Sequence, residues 1–277
     1  VMPMTLNEIR NRKNLGPWMD HKVFMNFYMT DIFAYSAEVL RSENKDAKVA
    51  MSGTYNPTTF NGFDYCQLTK VVGQMTTYTG IQRELLRSFS EPVMYRSGWA
   101  GYDLSNKNER YARYEPWFLI FHGYNKISYY NLYSCHYDPV INYGLLRPDL
   151  SLPKRTQWAM DEVQELKSGI AKLLLTSEAI DKPIAIHYSH PSIHAYTILK
   201  ERGDMLEHEL LDDLNSITAL LENIGFQYDF ISSEQICNGN LNEYKAFIMP
   251  FSTSISTQEV KAIQEFAESG GIVIANH

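Results

Sequence analysis

The chain has 277 residues, of which 44% are hydrophobic and 21% are charged. This length suffices for two medium-sized domains, and the composition is that of a globular protein and excludes a disordered chain. The net charge of -7 argues against nucleic-acid binding, which needs a basic surface, and no apolar run is long enough to predict a membrane span.

Helices and strands alternate along the first half of the chain. Apolar residues at three- and four-residue spacing predict a helix over residues 18–43. Four short apolar segments, separated by helical patterns near 64–70, from Gly80 and over 109–122, predict strands at 48–52, 71–78, 92–97 and 126–133. Such alternation specifies a parallel sheet with helices outside it. Four strands cannot close a barrel, but they could form half of an eight-stranded one.

A domain boundary is expected near residue 180. Residues 156–176 predict one long amphipathic helix, and Asp181-Lys182-Pro183 then breaks the pattern. We therefore expect a first domain over residues 1–180 and a second over residues 181–277.

The second domain begins a new α/β series. Strands are predicted at 183–188, 226–231, 246–250 and 272–275. Between them, Asp204 can cap a helix that Gly225 ends, and Ser256 with Glu259 forms a capping box that opens another. This pattern predicts a doubly wound, flavodoxin-like domain. Gly-rich nucleotide fingerprints are absent from the sequence, so no nucleotide cofactor is expected.

The two ends of the chain bear on its context. Val1-Met2-Pro3-Met4 has neither the basic flank nor the apolar core of a signal peptide, and the last predicted strand stops near the final residue. We expect both ends to be cut from a longer protein. The location stays open between cytoplasm and periplasm.

Several segments resemble glycoside hydrolase family 42, the β-galactosidases. Residues 220–231, with Leu221, Gly225 and Asp229, are similar to a segment of that family's middle domain. Residues 241–250, with the Leu-x-x-Tyr-Lys pattern, and 266–273, with paired glycines, follow in the same order. In the first half, residues 18–31 and 121–127 are similar to the approaches to the fifth and eighth barrel strands.

The resemblance covers nearly the whole chain and implies a fold and an activity. The fold is the C-terminal half of a TIM barrel followed by a flavodoxin-like domain, related to class I amidotransferases, that mediates trimer formation in the family. The implied activity is β-galactosidase-like cleavage of oligosaccharides without a cofactor.

A glycosidase of this kind needs two carboxyl groups that flank the scissile bond. The resemblance implies a general acid in an Asn-Glu pair, for which Asn7-Glu8 is the candidate; the competing interpretation is an ordinary loop before the helix. Where it implies a nucleophilic Glu at the seventh-strand tip, the sequence offers Ser97, or Arg96 in a shifted register. Serine cannot form the usual carboxylate-linked intermediate. A noncatalytic sugar-binding or assembly protein is therefore the alternative.

Two other acidic residues lie near that strand. Glu91 precedes it and is interpreted as a solvated surface charge, whereas Asp103 could reach the site from the loop.

Aromatic residues at predicted strand ends are candidate sugar contacts. Tyr78 ends the sixth strand, where the resemblance implies a hydroxyl facing the substrate; a rim tyrosine is the alternative. Trp99 follows the seventh strand, and Tyr130, Asn131 and Tyr133 end the eighth. Aromatic faces and amides suit sugar stacking and hydroxyl recognition, although strand alternation lets only one of Tyr130 and Asn131 point inward.

No metal site is expected. The histidines considered, His122, His136, His187, His190 and His194, have no acidic partner at ligand spacing, so we predict solvated or hydrogen-bonded side chains. Pro191 argues against a regular helix between His190 and His194.

The cysteines predict neither a disulfide framework nor a zinc site. Cys66, Cys135 and Cys237 are odd in number and far apart. Amidotransferase-like chemistry at Cys237 is a weaker option, because the surrounding sequence lacks a Gly-x-Cys-x-Gly elbow.

Overall fold

The computed structural model describes residues 5, 8–9, 11–78, 80–90, 94–100, 109–129, 132, 144–147, 149–177, 181–199 and 206–276, with the backbone alone for Trp99 and residues 206–209. None of the helices in these stretches combines the length and hydropathy needed to cross a bilayer.

The first half forms a four-stranded parallel sheet in the order β1-β2-β3-β4. Its strands are β1 (Ala50–Thr54), β2 (Gln74–Thr77), β3 (Tyr95–Ala100) and β4 (Lys126–Tyr129). The helices are α1 (Gly16–Glu43), α2 (Tyr65–Val71), α3 (Gln82–Phe89), α4 (Glu109–Phe121), α5 (Lys154–Glu165) and α6 (Ala171–Thr176). The predicted alternation of helices with parallel strands is confirmed.

The second half forms another four-stranded parallel sheet, in the order β6-β5-β7-β8. Its strands are β5 (Ile184–Tyr188), β6 (Tyr228–Ser232), β7 (Ala246–Pro250) and β8 (Ile272–Asn276). The helices are α7 (His190–Leu199), α8 (Leu206–Asn223), α9 (Ser233–Cys237) and α10 (Thr257–Glu268), with a 3-10 turn at Asn240–Glu243. The first strand of this half lies between the second and third, so the chain winds in both directions from it.

The helix predicted over residues 156–176 is interrupted in its middle. A kink within Leu166–Ile170 separates α5 from α6. At that kink Gly169 has a φ of 143°, which glycine tolerates because it has no Cβ. The prediction of one continuous helix was therefore wrong at this point.

Several strand boundaries differ from the predictions by two or three residues, and β2 and β3 show the reason. Strand β2 begins only at Gln74, because residues 65–71 complete helix α2. Strand β3 continues to Ala100, which pairs with Tyr129 of β4, beyond the predicted end at Ser97.

Pro191 does not prevent a helix. Helix α7 begins at His190, so Pro191 lies in the first turn, where its missing N–H would have had no helical partner. His190 and His194 are therefore one helical turn apart. The expectation of an irregular segment here was wrong.

The capping box predicted for the last helix is confirmed. Ser256 Oγ accepts the N–H of Glu259 at 3.2 Å, and the Glu259 carboxylate accepts the N–H of Ser256 at 2.8 Å. A second box at Ser232 and Gln235 opens α9 and was not predicted.

Helix α3 joins the two halves. Ser88 Oγ accepts the N–H of Phe230 at 2.9 Å, and Arg87 Nη2 donates to the carbonyl of Tyr228 at 2.7 Å, so α3 is bonded to strand β6. The apolar core is continuous across this contact, since Leu86 and Phe230 belong to the same buried cluster. The helix thus fixes one sheet against the other.

Candidate functional site

All four strands of the first sheet end at one edge. The strands are parallel, so the residues that follow Thr54, Thr77, Ala100 and Tyr129 share this edge, which we call the C-terminal edge. Parallel α/β sheets bind their ligands beyond the carboxyl ends of the strands. The C-terminal edge is therefore the candidate site.

Two tyrosines stack at this edge. The ring centroids of Tyr55 and Tyr78 are 5.3 Å apart, with 27° between the ring planes. Tyr55 is 60% exposed, and Tyr78 is half-buried. Helix α3 holds the Tyr78 backbone, because the Tyr78 N–H donates to Gln82 Oε1 at 3.2 Å and Arg83 Nε donates to the Tyr78 carbonyl at 3.0 Å. The pair offers a fixed aromatic surface to solvent.

The backbone that leads to this pair requires a glycine. Gly53 has a φ of 73°, a left-handed conformation that residues with a Cβ rarely adopt. A Cβ there would lie 3.5 Å from the Tyr78 ring, an ordinary contact, so the conformation rather than crowding demands glycine. Sequence reasoning singled out Tyr78 but missed Tyr55, which carries no spacing signal.

One face of the first sheet is polar and partly open; we call it the polar inner face. Lys126 Nζ donates to Gln74 Oε1 at 3.0 Å, and the Ser97 and Ser128 hydroxyls are 2.8 Å apart. Tyr95, which pairs with Gln74, is 46% exposed on the same face. Hydroxyl, amide and aromatic groups at one surface suit a neutral polar ligand.

Ser97 does not lie at the C-terminal edge. Three residues of β3 follow it, its side chain is fully buried, and its hydroxyl pairs with Ser128. The prediction that Ser97 occupies the strand tip was wrong, because β3 is shifted toward the C-terminus. Arg96 is not at the tip either, and its N–H donates to Asn125 Oδ1.

Glu8 is an exposed residue ahead of α1. Its carboxylate accepts hydrogen bonds from the Thr5 N–H at 2.7 Å and the Thr5 hydroxyl at 2.9 Å. These bonds lower the pKa of Glu8, whereas a general acid must hold a proton at the working pH. The next residue, Ile9, is buried in one cluster with Trp18 and Ile198, so the segment lies against α1 and α7.

Several predicted positions lie outside the described residues: Tyr130, Asn131, Tyr133, Glu91, Asp103, Cys135 and His136. Trp99 is described by its backbone, which pairs with Ser128 in the sheet, so the prediction that Trp99 follows the strand was wrong: it lies within β3. The roles predicted at the site for Trp99 and for the residues outside the described part of the chain stay predictions.

Two histidines of α7 are buried against α1. Asn26 Nδ2 lies 2.8 Å from His190 Nδ1 and 3.5 Å from His194 Nε2, and the Tyr188 hydroxyl lies 2.7 Å from His190 Nε2. Burial lowers the pKa of both histidines, that of His194 to about 3. They are therefore neutral, hydrogen-bonded side chains, as predicted.

Another buried polar group lies beside the second sheet. His187 Nδ1 is 2.8 Å from Ser252 Oγ, and His187 Nε2 is 3.3 Å from Glu259 Oε1. Burial raises the pKa of Glu259, but the close approach of His187 and hydrogen bonds from Ser256 outweigh it and lower the pKa to about 2. Because Ser252 is itself buried, we interpret the group as a structural contact that connects the loop after β7 to α10.

Three potential metal ligands converge from separate helices. Glu84 of α3, His122 after α4 and Glu222 of α8 each offer one ligand atom, and these atoms all lie within 4.8 Å of one another. Sequence reasoning considered His122 but missed both glutamates, because the three positions have no regular spacing.

Cys237 is the last residue of α9. Burial raises the pKa of its thiol, whereas a nucleophilic cysteine needs a lowered one. This environment does not support a Cys237 nucleophile.

The sequence matches no protein-family model and no curated protein. Solved structures do resemble it. A β-galactosidase from the psychrophilic Marinomonas ef1 matches with a TM-score of 0.68 at 13% identity, over 93% of this chain and 43% of its own. The cold-adapted enzyme from Rahnella sp. R3 matches with a TM-score of 0.68 at 15% identity, over 93% and 40%.

A GH42 β-galactosidase from G. stearothermophilus matches with a TM-score of 0.66 at 15% identity, over 93% of this chain and 41% of its own. The chain therefore spans about two fifths of the length of these relatives. Over that length it shares the α/β fold with parallel sheets of the GH42 β-galactosidases.

Proposed function

We propose that this chain is part of a β-galactosidase-like glycoside hydrolase that cleaves terminal β-linked sugars from oligosaccharides. Residues 1–180 would supply the second half of a TIM barrel, and residues 181–277 a flavodoxin-like domain. The β6-β5-β7-β8 order supports the second assignment, since flavodoxin-like sheets place their first strand between the second and third.

The observation that carries the proposal is the fold likeness over 93% of the chain. It combines with a C-terminal edge that has the form of a sugar site. The stacked Tyr55 and Tyr78 present an aromatic surface there. The polar inner face starts at the opposite ends of the strands, with Gln74 and Lys126, and continues through Ser97 and Ser128. Sugars bind by resting their C–H faces on aromatic rings and by hydrogen bonding through their hydroxyls.

In this proposal Tyr78, Trp99, Tyr133 and one of Tyr130 and Asn131 contact the sugar from successive strands. No charged cofactor is required, because the two groups that hydrolyse a glycosidic bond are carboxyls. The resemblance assigns the acid to Glu8, a role that its lowered pKa opposes, and replacing it with Gln tests that role.

A noncatalytic sugar-binding protein is the second candidate. Among the described residues that directly follow β1, β2 and β4, namely 55–58, 78, 80–81 and 132, none is Asp or Glu. Ser97 lies inside β3 and not at its end. No described residue therefore occupies the position expected for the nucleophile. Binding without hydrolysis would then be the retained function.

The experiment is to incubate the full-length protein that contains this chain with a panel of 4-nitrophenyl β-glycosides and with galactose-containing disaccharides, and to titrate it calorimetrically with the same disaccharides. Nitrophenol release would support hydrolysis. Because 4-nitrophenolate leaves without protonation, the role of Glu8 is tested on the disaccharides. Disaccharide cleavage that is lost in Glu8→Gln would support Glu8 as the acid, and cleavage that stays unchanged would exclude it.

Heat of binding without release would favour the noncatalytic protein. Neither signal in the folded full-length protein would contradict both candidates. Tyr78→Ala should weaken binding, and Tyr114→Ala, an exposed tyrosine on α4, is the matched control.

We also propose that the second half carries an oligomer contact, a trimer by resemblance to the family. Light scattering on the chain should give three times its 32.0 kDa mass. A monomer at high concentration would argue against the assembly.

A further inference from the structure

A cleft lies where the first and second halves of the chain pack against each other. It is lined by α3, by the residues after α4 and by the end of α8 with the segment that follows it. Three of the side chains that line it are Glu84, His122 and Glu222, the group whose ligand atoms lie within 4.8 Å of one another. Glu84 is buried, His122 is half-buried and Glu222 is exposed, so the group extends from the interior to solvent.

Other residues orient all three side chains. Arg87 Nε donates to Glu84 Oε2 at 2.9 Å, which leaves Glu84 Oε1 facing His122 Nδ1 at 2.6 Å. The Tyr228 hydroxyl donates to Glu222 Oε1 at 2.7 Å. The Phe118 ring packs against the imidazole, with centroids 4.0 Å apart. Metal ligands are held in place by such outer hydrogen bonds and packing.

Two carboxylates converge with an imidazole at this cleft. Arg87 is shared between Glu84 and Asp229, and Lys182 also pairs with Asp229 at 3.0 Å. A divalent ion would bring positive charge to the point where the carboxylates of Glu84 and Glu222 meet.

We propose that Glu84, His122 and Glu222 bind a divalent transition-metal ion, with Zn²⁺ as the best match. One imidazole and two carboxylates form a ligand set that Zn²⁺ accepts, with a fourth position for water, whereas Ca²⁺ and Mg²⁺ prefer oxygen ligands alone.

Ligand atoms about 2.0–2.1 Å from a tetrahedral ion lie about 3.3 Å from each other. Glu84 Oε1 and His122 Nδ1 would therefore separate by less than about 1 Å and give up their direct hydrogen bond. Glu222 is exposed and can turn toward the ion.

The ion would link the two halves. Glu84 and His122 belong to the layer of the first sheet, whereas Glu222 ends the helix that precedes β6 of the second. This site is separate from the C-terminal edge and independent of the proposed glycosidase function. Its expected effect is mutual stabilisation of the two layers, since an ion that binds the folded state alone stabilises it.

Calorimetric titration of the EDTA-treated, dialysed chain with zinc chloride tests the proposal, together with thermal unfolding. The expected result is one equivalent bound and a higher Tm. Glu222→Gln should weaken binding at least about tenfold and abolish the Tm shift while the metal-free Tm stays unchanged, because Gln can still accept the Tyr228 hydroxyl. Glu243→Gln, another exposed glutamate that accepts one hydrogen bond, is the matched control.

Cobalt chloride gives an independent readout, because Co²⁺ in a site of low coordination number absorbs visible light strongly. The wild type and Glu243→Gln should gain this absorption, and Glu222→Gln should not. Absence of both heat and absorption in the wild type would overturn the proposal. Equal zinc binding by Glu222→Gln and the wild type would do so as well, since the ion would then bind elsewhere.

Discussion

The two sheets have the same strand arrangement but differ in how they are covered. In the second sheet every residue of β5 and β6 is buried, and β7 is buried except at its first residue, whereas β8 has no buried residue. In the first sheet β4 likewise has no buried residue, and the polar inner face also leaves Tyr95 of the central strand β3 and Lys126 exposed. Parallel strands are usually covered on both faces. Strands β5, β6 and β7 follow this rule, and β3 of the first sheet does not.

This difference distinguishes the second sheet, which mainly supports the fold, from the first sheet, which can also bind a ligand. A sheet whose strands are buried on both sides contributes stability and has only its edges and loops available for ligands. A sheet with a polar, accessible face gives up part of that stability and gains a surface that a ligand can reach. The following predictions test this contrast, in order of decreasing effect.

The largest effect is expected from removing an aromatic strand residue of the second sheet. Phe247 is fully buried in β7, and Phe247→Ala should lower the free energy of unfolding by about 3–5 kcal/mol through lost burial and a cavity. Urea unfolding measures this change. Tyr95→Ala removes an aromatic residue from β3 of the first sheet and should cost less than about 1 kcal/mol, because Tyr95 is already exposed. Equal losses of unfolding free energy in Phe247→Ala and Tyr95→Ala would contradict the contrast between the sheets.

Acid should destabilise the buried polar group of α7. The folded pKa of His194 is about 3, whereas an unfolded histidine titrates near about 6.5. Between these values the unfolded chain binds the proton and the folded chain does not. The free energy of unfolding should therefore fall as pH falls through this window, by up to about 1.4 kcal/mol per pH unit for this one group.

His194→Gln should reduce that slope between pH 6.5 and 4.5. Glu84 and Glu259, whose pKa values are both about 2, contribute only at lower pH, as unfolded carboxylates begin to bind protons near about 4.3. Urea unfolding at a series of pH values measures the difference. An unchanged slope would contradict a neutral, buried His194.

A smaller effect is expected at the centre of the first sheet. Ser97→Ala removes the hydrogen bond to Ser128 and should cost about 1 kcal/mol. Any glycosidase activity of the chain should persist, because Ser97 lies inside the strand and away from the C-terminal edge. Ser128→Ala, which breaks the same bond, is the control. Loss of activity in Ser97→Ala alone would restore Ser97 as a reacting group.

The smallest effect on stability is expected at the tyrosine pair. Tyr55 is mostly exposed, so Tyr55→Ala should change the free energy of unfolding by less than about 0.5 kcal/mol. Sugar binding should weaken, because the aromatic surface over Tyr78 is lost. Calorimetry measures the sugar affinity of the variant and of the wild type. Unchanged affinity would indicate that the sugar binds elsewhere than at this pair.

Element types followed well from the sequence, whereas the site followed poorly. The helical spacing over residues 18–43 and the capping box at Ser256 are local patterns, and both predictions were confirmed. The misplacement of Ser97 arose from a local ambiguity. Sheet pairing decides how far β3 extends, and the partner is Tyr129, some thirty positions away. The helix at His190 was missed because the position of Pro191 within the first turn depends on where the helix starts.

The sequence by itself determined the alternation of helices and strands, the parallel sheets and the segments that resemble the β-galactosidases, because hydrophobic period and capping act over a few residues. Tertiary structure alone decided which side chains meet. Tyr55 lies on Tyr78, and Glu84 and His122 meet Glu222, because chain segments far apart in sequence pack side by side and bring together groups that no local spacing records.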